Sequence, residues 1–150
     1  MLTEHLTAGR VQFAENLPGW RDAIELVSAP LVDDGSITRD YVDAMLESIA
    51  AGGTYIDLGY GIALAHARPE RGVVKTALSA LWVRPAVLLN DDEAHPISLF
   101  VCLAAADDSS HLATMAQLAE LLSDDTARSS FLAATTSAEV AAILQKGALK

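Results

Sequence analysis

The sequence predicts an α/β sandwich, with a mixed or largely parallel central sheet flanked by helices on both faces. Apolar runs at 76–83 and 97–104 have the length and residue types of strands that are buried on both sides. Segments with helical spacing of apolar residues precede and follow these runs, so helices are expected to cover both faces of the sheet. The 150 residues suit one compact domain, which we expect to span 1–150.

A short strand and two helices are predicted in the first third of the chain. The strand is 10–13, and the helix after Pro18-Gly19 has apolar residues at helical spacing, namely Trp20, Ile24, Val27 and Leu31. Pro30 is expected to kink or end this helix because proline lacks a backbone donor. Thr38 is a candidate N-cap of the second helix, whose predicted buried face is Val42, Met45, Leu46 and Ile49.

Glycines divide the next part of the chain. Gly52-Gly53 is predicted to end the second helix, and Gly59 and Gly61 break 54–66 into a strand, a turn and a strand. The two long apolar strands at 76–83 and 97–104 follow.

The last third is predicted to be helical. Ser109 or Ser110 is a candidate cap for the first helix, whose inner stripe is predicted as Leu112, Met115, Ala116, Ala119 and Leu122. A second helix is expected over 124–133. The third begins with a capping-box pattern at 136–139 and is expected to bury Val140, Ile143 and Leu144.

The charge balance of the chain argues against two classes of partner. Ten Lys and Arg stand against twenty Asp and Glu, which gives a formal net charge of -10. Such a surface repels phosphate backbones and anionic lipid headgroups, so we expect no nucleic-acid partner and no membrane-surface binding. A protein with a basic docking face would be attracted to it.

Cysteine content and hydropathy indicate a cytoplasmic protein. Cys102 is the single cysteine, which rules out an intrachain disulfide and a cysteine metal cage, and its apolar surroundings predict a buried side chain. The N-terminus lacks the basic and apolar pattern of a signal peptide. No apolar run approaches the roughly 20 residues that a membrane helix needs.

His66 is the strongest candidate for chemistry. It ends a glycine-broken apolar run, has alanine on both sides, and is followed by a polar loop with a proline. Small neighbours leave the imidazole open to another macromolecule, and α/β proteins tend to place reactive groups at strand ends. Imidazole is a nucleophile near neutral pH, where much of it is unprotonated. Spacing alone favours a simpler interpretation, a loop histidine with a satisfied hydrogen bond.

Other candidate sites are weaker. His95 lies in an acidic loop, but one histidine with carboxylates and no second spaced ligand favours a solvated turn over a metal site. Gly59-Tyr60-Gly61 lacks the third glycine of a dinucleotide fingerprint, and no Walker lysine follows. We therefore expect neither a cofactor nor a metal.

The segment around His66 resembles the phosphorylation site of enzyme IIA domains of the bacterial sugar phosphotransferase system, mannitol/fructose class. The family motif is a glycine, two variable residues, an aliphatic-Ala-aliphatic triplet, a proline and the phosphorylated histidine. Gly59, the triplet 62–64 and His66 match it, whereas Ala65 stands where the family usually has proline. That departure removes a rigid residue before the nucleophile, and it is compatible with slower transfer or with a divergent regulatory member.

The resemblance extends over about 11–144 and favours one branch of the family. The stretch 67–73, which begins Ala-Arg-Pro-Glu, is similar to the sequence after the histidine in ascorbate-type members. The stretch 107–122 resembles the second conserved block, in which His111 begins a helix. Mannitol-type members carry an arginine in the helix before the first motif, and 45–50 contains none. These features favour the ascorbate-like branch.

The resemblance implies a phosphotransferase mechanism and its partners. His66 would accept a phosphoryl group from the carrier protein HPr and pass it to a cysteine of an enzyme IIB, with membrane enzyme IIC involved only indirectly. His111 would stabilise the phosphoryl oxygens by hydrogen bonding, helped by the helix N-terminus. Arg68 and Arg71 would pair with phosphate oxygens or with acidic groups of a partner, or remain solvated.

Three functional hypotheses follow from the sequence. The first is a transport phosphocarrier for ascorbate or a related sugar acid. The second is an enzyme IIA-like regulatory domain whose phosphorylation state controls a partner protein. The third is a domain with the fold but without phosphotransfer, for which Ala65 is the main argument. A homodimer is compatible with each, since the amphipathic terminal helix can pack on its own core or on a second subunit.

Overall fold

A five-stranded mixed sheet forms the centre of the computed structural model, which describes residues 2–148. Its strands are β1 (Val11–Glu15), β2 (Asp57–Gly59), β3 (Ile62–Ala65), β4 (Ala77–Leu88) and β5 (Pro96–Ala104), in the order β1-β4-β5-β3-β2. The pairs β1–β4 and β3–β5 are parallel, and the pairs β4–β5 and β2–β3 are antiparallel. The predicted mixed sheet is confirmed.

Six helices surround the sheet within the described residues. They are α1 (Leu2–His5), α2 (Trp20–Asp33), α3 (Arg39–Ala50), α4 (Asp108–Ser123), α5 (Asp125–Leu132) and α6 (Ser137–Ala148). Short 3-10 turns occupy Thr54–Ile56 and Pro69–Arg71, on either side of the β2–β3 hairpin.

Alternation along the strands divides the core into two layers. In β3, Ala63 and Ala65 pack with buried residues of α2 and α3, whereas Ile62 and Leu64 pack with those of α4, α5 and α6. Successive side chains of a strand point to opposite faces, so a strand such as β3, in which every residue is buried, must be covered on both faces. The prediction of helices on both faces is confirmed.

Most predicted elements form at or near the predicted positions. All four predicted contact residues of α2 are buried, and Val42, Met45 and Ile49 of α3 are buried beside a half-buried Leu46. In α6, Val140 and Leu144 are buried, and Glu139 donates its backbone N–H to Thr136 Oγ1 at 3.1 Å. The strand predicted to end at 83 continues to Leu88.

Pro30 does not end α2, contrary to one of the two expectations for it. The helix continues to Asp33, with Pro30 in its last turn. Proline cannot supply the N–H that the carbonyl of Leu26 would accept one turn earlier. The side chain of Gln12 on β1 supplies it instead, because its Nε2 donates to the Leu26 carbonyl at 2.6 Å. A tertiary hydrogen bond thus replaces the helical one.

The predicted N-cap of α4 was wrong, and of its predicted buried face only Met115 and Leu122 pack against the core. The cap is Asp107, whose Oδ1 accepts the Ser110 N–H at 2.7 Å, not Ser109 or Ser110. The buried residues are Thr114 and Leu118, with Met115, Leu121 and Leu122 partly buried against the same core. The predicted positions Leu112, Ala116 and Ala119 are exposed. In an alanine-rich helix several stripes are apolar enough to face a core, so periodicity alone selected the wrong one.

Cys102 is fully buried in β5, as predicted, and burial raises its thiol pKa to about 12. No helix within residues 2–148 is both long and apolar enough to cross a membrane.

The bond between Gln12 and Leu26 gives a test of this packing. Replacing Gln12 with Leu leaves the Leu26 carbonyl without its donor, so we expect the free energy of unfolding in urea to fall by about 1–3 kcal/mol. In a Pro30→Ala background the helix regains its own N–H, and the same replacement should cost close to nothing. An equal loss in both backgrounds would contradict this account.

Candidate functional site

The parallel pairing of β3 and β5 defines the position of the candidate site. The two strands are neighbours, with Ala65 in register with Cys102, so their carboxyl ends lie at the same edge of the sheet. His66 is the first residue after β3, and α4 begins shortly after β5 ends. Open α/β sheets bind ligands at such edges. Residues distant in sequence therefore converge here.

His66 is half-buried and held by a backbone hydrogen bond. Its Nδ1 lies 2.7 Å from the carbonyl oxygen of Leu64. A carbonyl can only accept, so Nδ1 carries the proton and donates it. In the neutral ring the lone pair then belongs to Nε2. The sequence had left the group that orients His66 undefined, and the structure identifies it as this carbonyl.

His111 lies beside His66. The two ring centroids are 6.4 Å apart and the rings are tilted by 49°. His111 stands in the first turn of α4, where the helix dipole presents its positive end. The backbone N–H of Ser110 holds the pKa of Asp107 below its usual value, so this carboxylate stays charged as it caps the helix. Asp107 therefore caps the N-terminus of α4.

Tyr55 borders His66 on another side and was not found by the sequence analysis. Its ring meets the imidazole edge-on, with centroids 6.3 Å apart and an interplanar angle of 82°. The phenol hydroxyl lies 3.3 Å from Ser48 Oγ on α3. No sequence pattern signals this contact, because it depends on how the Thr54–Ile56 turn packs against α3.

Tyr41 ties α3 to the ends of both central strands. Its buried hydroxyl donates to the Leu103 carbonyl at 2.7 Å and accepts the Ala67 N–H at 3.0 Å. Burial raises its pKa, so the hydroxyl keeps the proton that it donates. Ala67 directly follows His66, so the backbone beside the candidate nucleophile is held from α3. Sequence analysis also missed this residue, although it adjoins the predicted apolar face.

The loop after His66 packs closely on the start of α3. Gly72 adopts φ +142°, and a Cβ at this position would overlap Thr38 Oγ1 and approach Tyr41 N to 3.0 Å. The Gly72 carbonyl accepts the Thr38 N–H at 2.9 Å. Only glycine adopts this positive φ readily and also leaves room for the neighbouring atoms of Thr38 and Tyr41. The loop that carries the two arginines is thereby fixed to the helix.

The two arginines of this loop differ in their surroundings. Arg71 forms an ion pair with Glu47 at 3.4 Å. Arg68 is exposed, and it makes no side-chain hydrogen bond or ion pair with the part of the chain that the structure describes. Arg68, two positions after His66, is therefore the arginine of this loop that has no carboxylate partner among the described residues.

His95 follows an exposed turn at 93–94, but its ring is engaged by another part of the chain, which the sequence did not predict. Its Nδ1 lies 2.8 Å from Asp57 Oδ2, so it pins the loop before β5 to β2. Only a fold that places β2 near that loop brings the two together. Among residues 2–148 no three His, Cys, Asp or Glu side chains cluster as metal ligands do.

Comparisons with known proteins agree on one family. The family model described as "Phosphoenolpyruvate-dependent sugar phosphotransferase system, EIIA 2" matches residues 4–147. The mannitol-specific cryptic phosphotransferase enzyme IIA component of Escherichia coli K12 is 30% identical over 146 residues, which are 97% of this chain and 99% of that protein. A solution structure of that E. coli enzyme IIA superimposes with a TM-score of 0.88 and 29% identity, covering 97% of this chain and 98% of that one.

Two further relatives carry different names. The ascorbate-specific PTS system EIIA component of E. coli K12 is 29% identical over 92 residues, which are 61% of this chain and 60% of that protein. The E. coli mannitol enzyme IIA, in its complex with phosphorylated enzyme IIB, has a TM-score of 0.77 at 22% identity, covering 93% of this chain and 96% of that chain. At 22% identity, the similarity to the E. coli mannitol enzyme IIA shows a shared fold and nothing more.

The hydroxyl of Tyr41 gives a test of how the site is supported. Replacing Tyr41 with Phe removes both hydrogen bonds, and we expect a loss of about 1–3 kcal/mol in the free energy of unfolding. Amide exchange at Ala67 should accelerate as well, since its acceptor is gone. Tyr60→Phe is the matched control, because that side chain is exposed and its hydroxyl has no hydrogen-bond partner among the described residues. Equal effects of the two replacements would show that Tyr41 does not support the site.

Proposed function

This chain belongs to the EIIA 2 family of the phosphoenolpyruvate-dependent sugar phosphotransferase system, and we propose that it carries its phosphoryl group on Nε2 of His66. One observation supports this assignment above the others. The Leu64 carbonyl binds the Nδ1 proton, and Nε2 is therefore the nitrogen with a lone pair. A second histidine stands beside it, at the strand edge where α/β folds act on ligands.

The proposed step is a phosphoryl exchange between two nitrogens. The Nε2 lone pair attacks phosphorus of the phosphohistidine on HPr, an N–P bond forms, and the donor's N–P bond breaks with its electron pair returning to the donor ring. In the next step a cysteine thiolate of enzyme IIB attacks the same phosphorus, and the electron pair returns to Nε2. The Nδ1 proton stays on the ring in both steps, held by the Leu64 carbonyl. Positioning and charge stabilisation are the main contributions required of the protein.

His111 and Arg68 are the groups that we assign to the phosphoryl oxygens. The ring of His111 is close enough to His66 to donate to a group attached between them. Arg68 follows the nucleophile by two positions and lacks a carboxylate partner among the described residues. A guanidinium and an imidazole N–H both form charge-assisted hydrogen bonds to phosphate.

Charge and family support the proposed partners. A net charge of -10 favours a donor and an acceptor with basic docking faces, such as we expect of HPr and of enzyme IIB. The E. coli mannitol enzyme IIA forms a complex with phosphorylated enzyme IIB, which supports an enzyme IIB as the acceptor. Phosphoryl transfer from HPr through an enzyme IIA to an enzyme IIB takes place on the cytoplasmic side of a membrane enzyme IIC. We therefore propose that this protein is cytoplasmic.

We assign the transported substrate to the sugar-acid class, with ascorbate as its representative. The Ala-Arg-Pro-Glu stretch after His66 and the absence of an arginine in 45–50 support this choice. Relatives named for ascorbate and for mannitol both match, and the mannitol-named one matches over more of the chain. The preference of this protein for one enzyme IIB acceptor over another therefore distinguishes the sugar-acid class from the mannitol class.

Phosphorylation by purified components tests the site. Incubated with enzyme I, HPr and labelled phosphoenolpyruvate, the protein should take up one phosphoryl group that is lost in acid and stable in alkali. His66→Ala should take up none, since the nucleophile is gone. His111→Ala should slow uptake by roughly 100-fold without preventing it, as expected for loss of one transition-state donor.

His95→Gln is the matched control for these variants. His95 is a histidine of the same chain that is engaged with Asp57 and away from His66, so its replacement should leave the uptake rate near that of the unmodified protein. Uptake by His66→Ala at the original stoichiometry would show that another residue carries the phosphoryl group.

Transfer to purified enzyme IIB proteins tests the substrate class. The phosphorylated protein should pass its label to an ascorbate-type enzyme IIB at least about tenfold faster than to a mannitol-type one, a difference of about 1.4 kcal/mol in barrier. Faster transfer to the mannitol type would assign the protein to that system. Transfer to neither, with both acceptors active toward their own enzyme IIA, would favour the regulatory role.

A further inference from the structure

The hydrogen bond that orients His66 leaves one degree of freedom. It restrains the distance from Nδ1 to the Leu64 carbonyl, but the side chain has two torsions, and one distance does not fix both. In-line transfer requires Nε2 to point at the incoming phosphorus, and small errors in placing a reacting group cost large factors in rate. A second contact must therefore set the plane of the imidazole.

Tyr55 provides such a contact. Its ring meets the imidazole at 82°, the edge-to-face arrangement that aromatic pairs favour. The side chain is 69% exposed, so burial in the core does not account for its position. A large exposed side chain of this kind would sample several rotamers unless something held it.

Ser48 holds Tyr55 in place. The Tyr55 hydroxyl lies 3.3 Å from Ser48 Oγ, at the far end of the ring from the backbone. The turn that carries Tyr55 is itself tightly docked on α3, because the Gly53 N–H donates to the Ser48 carbonyl at 2.9 Å. A Cβ on Gly53 would lie 2.5 Å from that carbonyl oxygen. The same serine thus anchors both the backbone and the side-chain tip.

We propose that Tyr55, anchored through its hydroxyl to Ser48, is a positioning residue that sets the plane of the His66 imidazole for phosphoryl transfer. The inference rests on the proposed function for its catalytic consequence. Tyr55 and His111 both lie close to the His66 ring, the tyrosine edge-on and the histidine tilted by 49°. We assign the tyrosine to limiting rotation of the ring and His111 to the phosphoryl oxygens. The competing role for an exposed tyrosine at this place is docking of a partner protein, and the two roles have different kinetics.

Transfer kinetics from phospho-HPr separate these roles. In Tyr55→Leu we expect the rate constant at saturating phospho-HPr to fall about 10-fold to 100-fold, the range caused by misplacement of a reacting group. KM for phospho-HPr should change by less than about twofold, since the replacement affects the orientation of the His66 ring and not the binding of phospho-HPr. Tyr60→Leu is the matched control, because Tyr60 is similarly exposed at 66% and its ring packs against Arg128 instead of His66. Its rate constant should stay near the original value.

Conservative variants test the anchor. Tyr55→Phe keeps the ring and loses the hydroxyl, so it should restore only part of the rate lost in Tyr55→Leu. Ser48→Ala removes the same hydrogen bond from the other side. The two replacements should therefore lower the rate equally, by less than Tyr55→Leu, and combining them should add nothing further. A rate equal to that of the unmodified protein in both variants would contradict the anchor.

NMR of the unphosphorylated protein tests the ring contact independently of phosphotransfer. Tyr55→Leu should keep the Nδ1–H tautomer of His66, shift its ring resonances and broaden them by exchange, whereas Tyr60→Leu should leave them unchanged. If the unmodified protein accepts no phosphoryl group on His66, the proposed function fails, but these spectra still decide whether Tyr55 orders the ring. A raised KM with an unchanged rate constant, or unchanged spectra in Tyr55→Leu, would overturn the positioning role.

Discussion

The hydroxyl of Tyr41 is the contact on which the arrangement of the site depends. It donates to the carbonyl of Leu103 near the end of β5 and accepts the N–H of Ala67, which follows the candidate nucleophile. One buried side chain of α3 therefore joins the helix layer to the ends of two parallel strands. A buried polar group without a hydrogen-bond partner lowers the stability of the fold. The Leu103 carbonyl and the Ala67 N–H therefore both favour the position of α3 that brings the Tyr41 hydroxyl to them. His66 is held between this anchored peptide and the end of β3.

The chemistry of the site arises from backbone geometry more than from unusual side chains. The Leu64 carbonyl selects the protonated nitrogen of His66, and the parallel β3–β5 pair brings the start of α4, with His111, to the same edge. Arg71 is occupied by Glu47 whereas Arg68 has no such partner among the described residues, so two similar residues in one loop have different roles available to them. A phosphocarrier needs little else, because phosphoryl transfer depends on alignment and on balancing charge.

The failures of sequence reasoning have identifiable physical causes. Leu112, Ala116 and Ala119 have the spacing of a buried stripe, but the core of α4 is formed around Thr114 and Leu118. Alanine is compatible with either face, so its periodicity carries little information. Pro30 was expected to kink or end α2, and the helix does not end there because a glutamine on β1 supplies the missing donor. His95 was assigned to a solvated turn because its partner, Asp57, lies far away in sequence.

What the sequence by itself determined is the set of local features: the strands and helices, the mixed sheet covered on both faces, and the segment containing His66 with its family resemblance. These follow from periodicity, glycine placement and a short motif, which are all properties of neighbouring residues. The tertiary structure decided the acceptor of the His66 proton, the approach of His111, and the contacts of Tyr41 and Tyr55. Those depend on which strand ends share an edge and which helix packs over them. Contacts between residues distant in the chain form only when the whole core is assembled, so no local pattern specifies them.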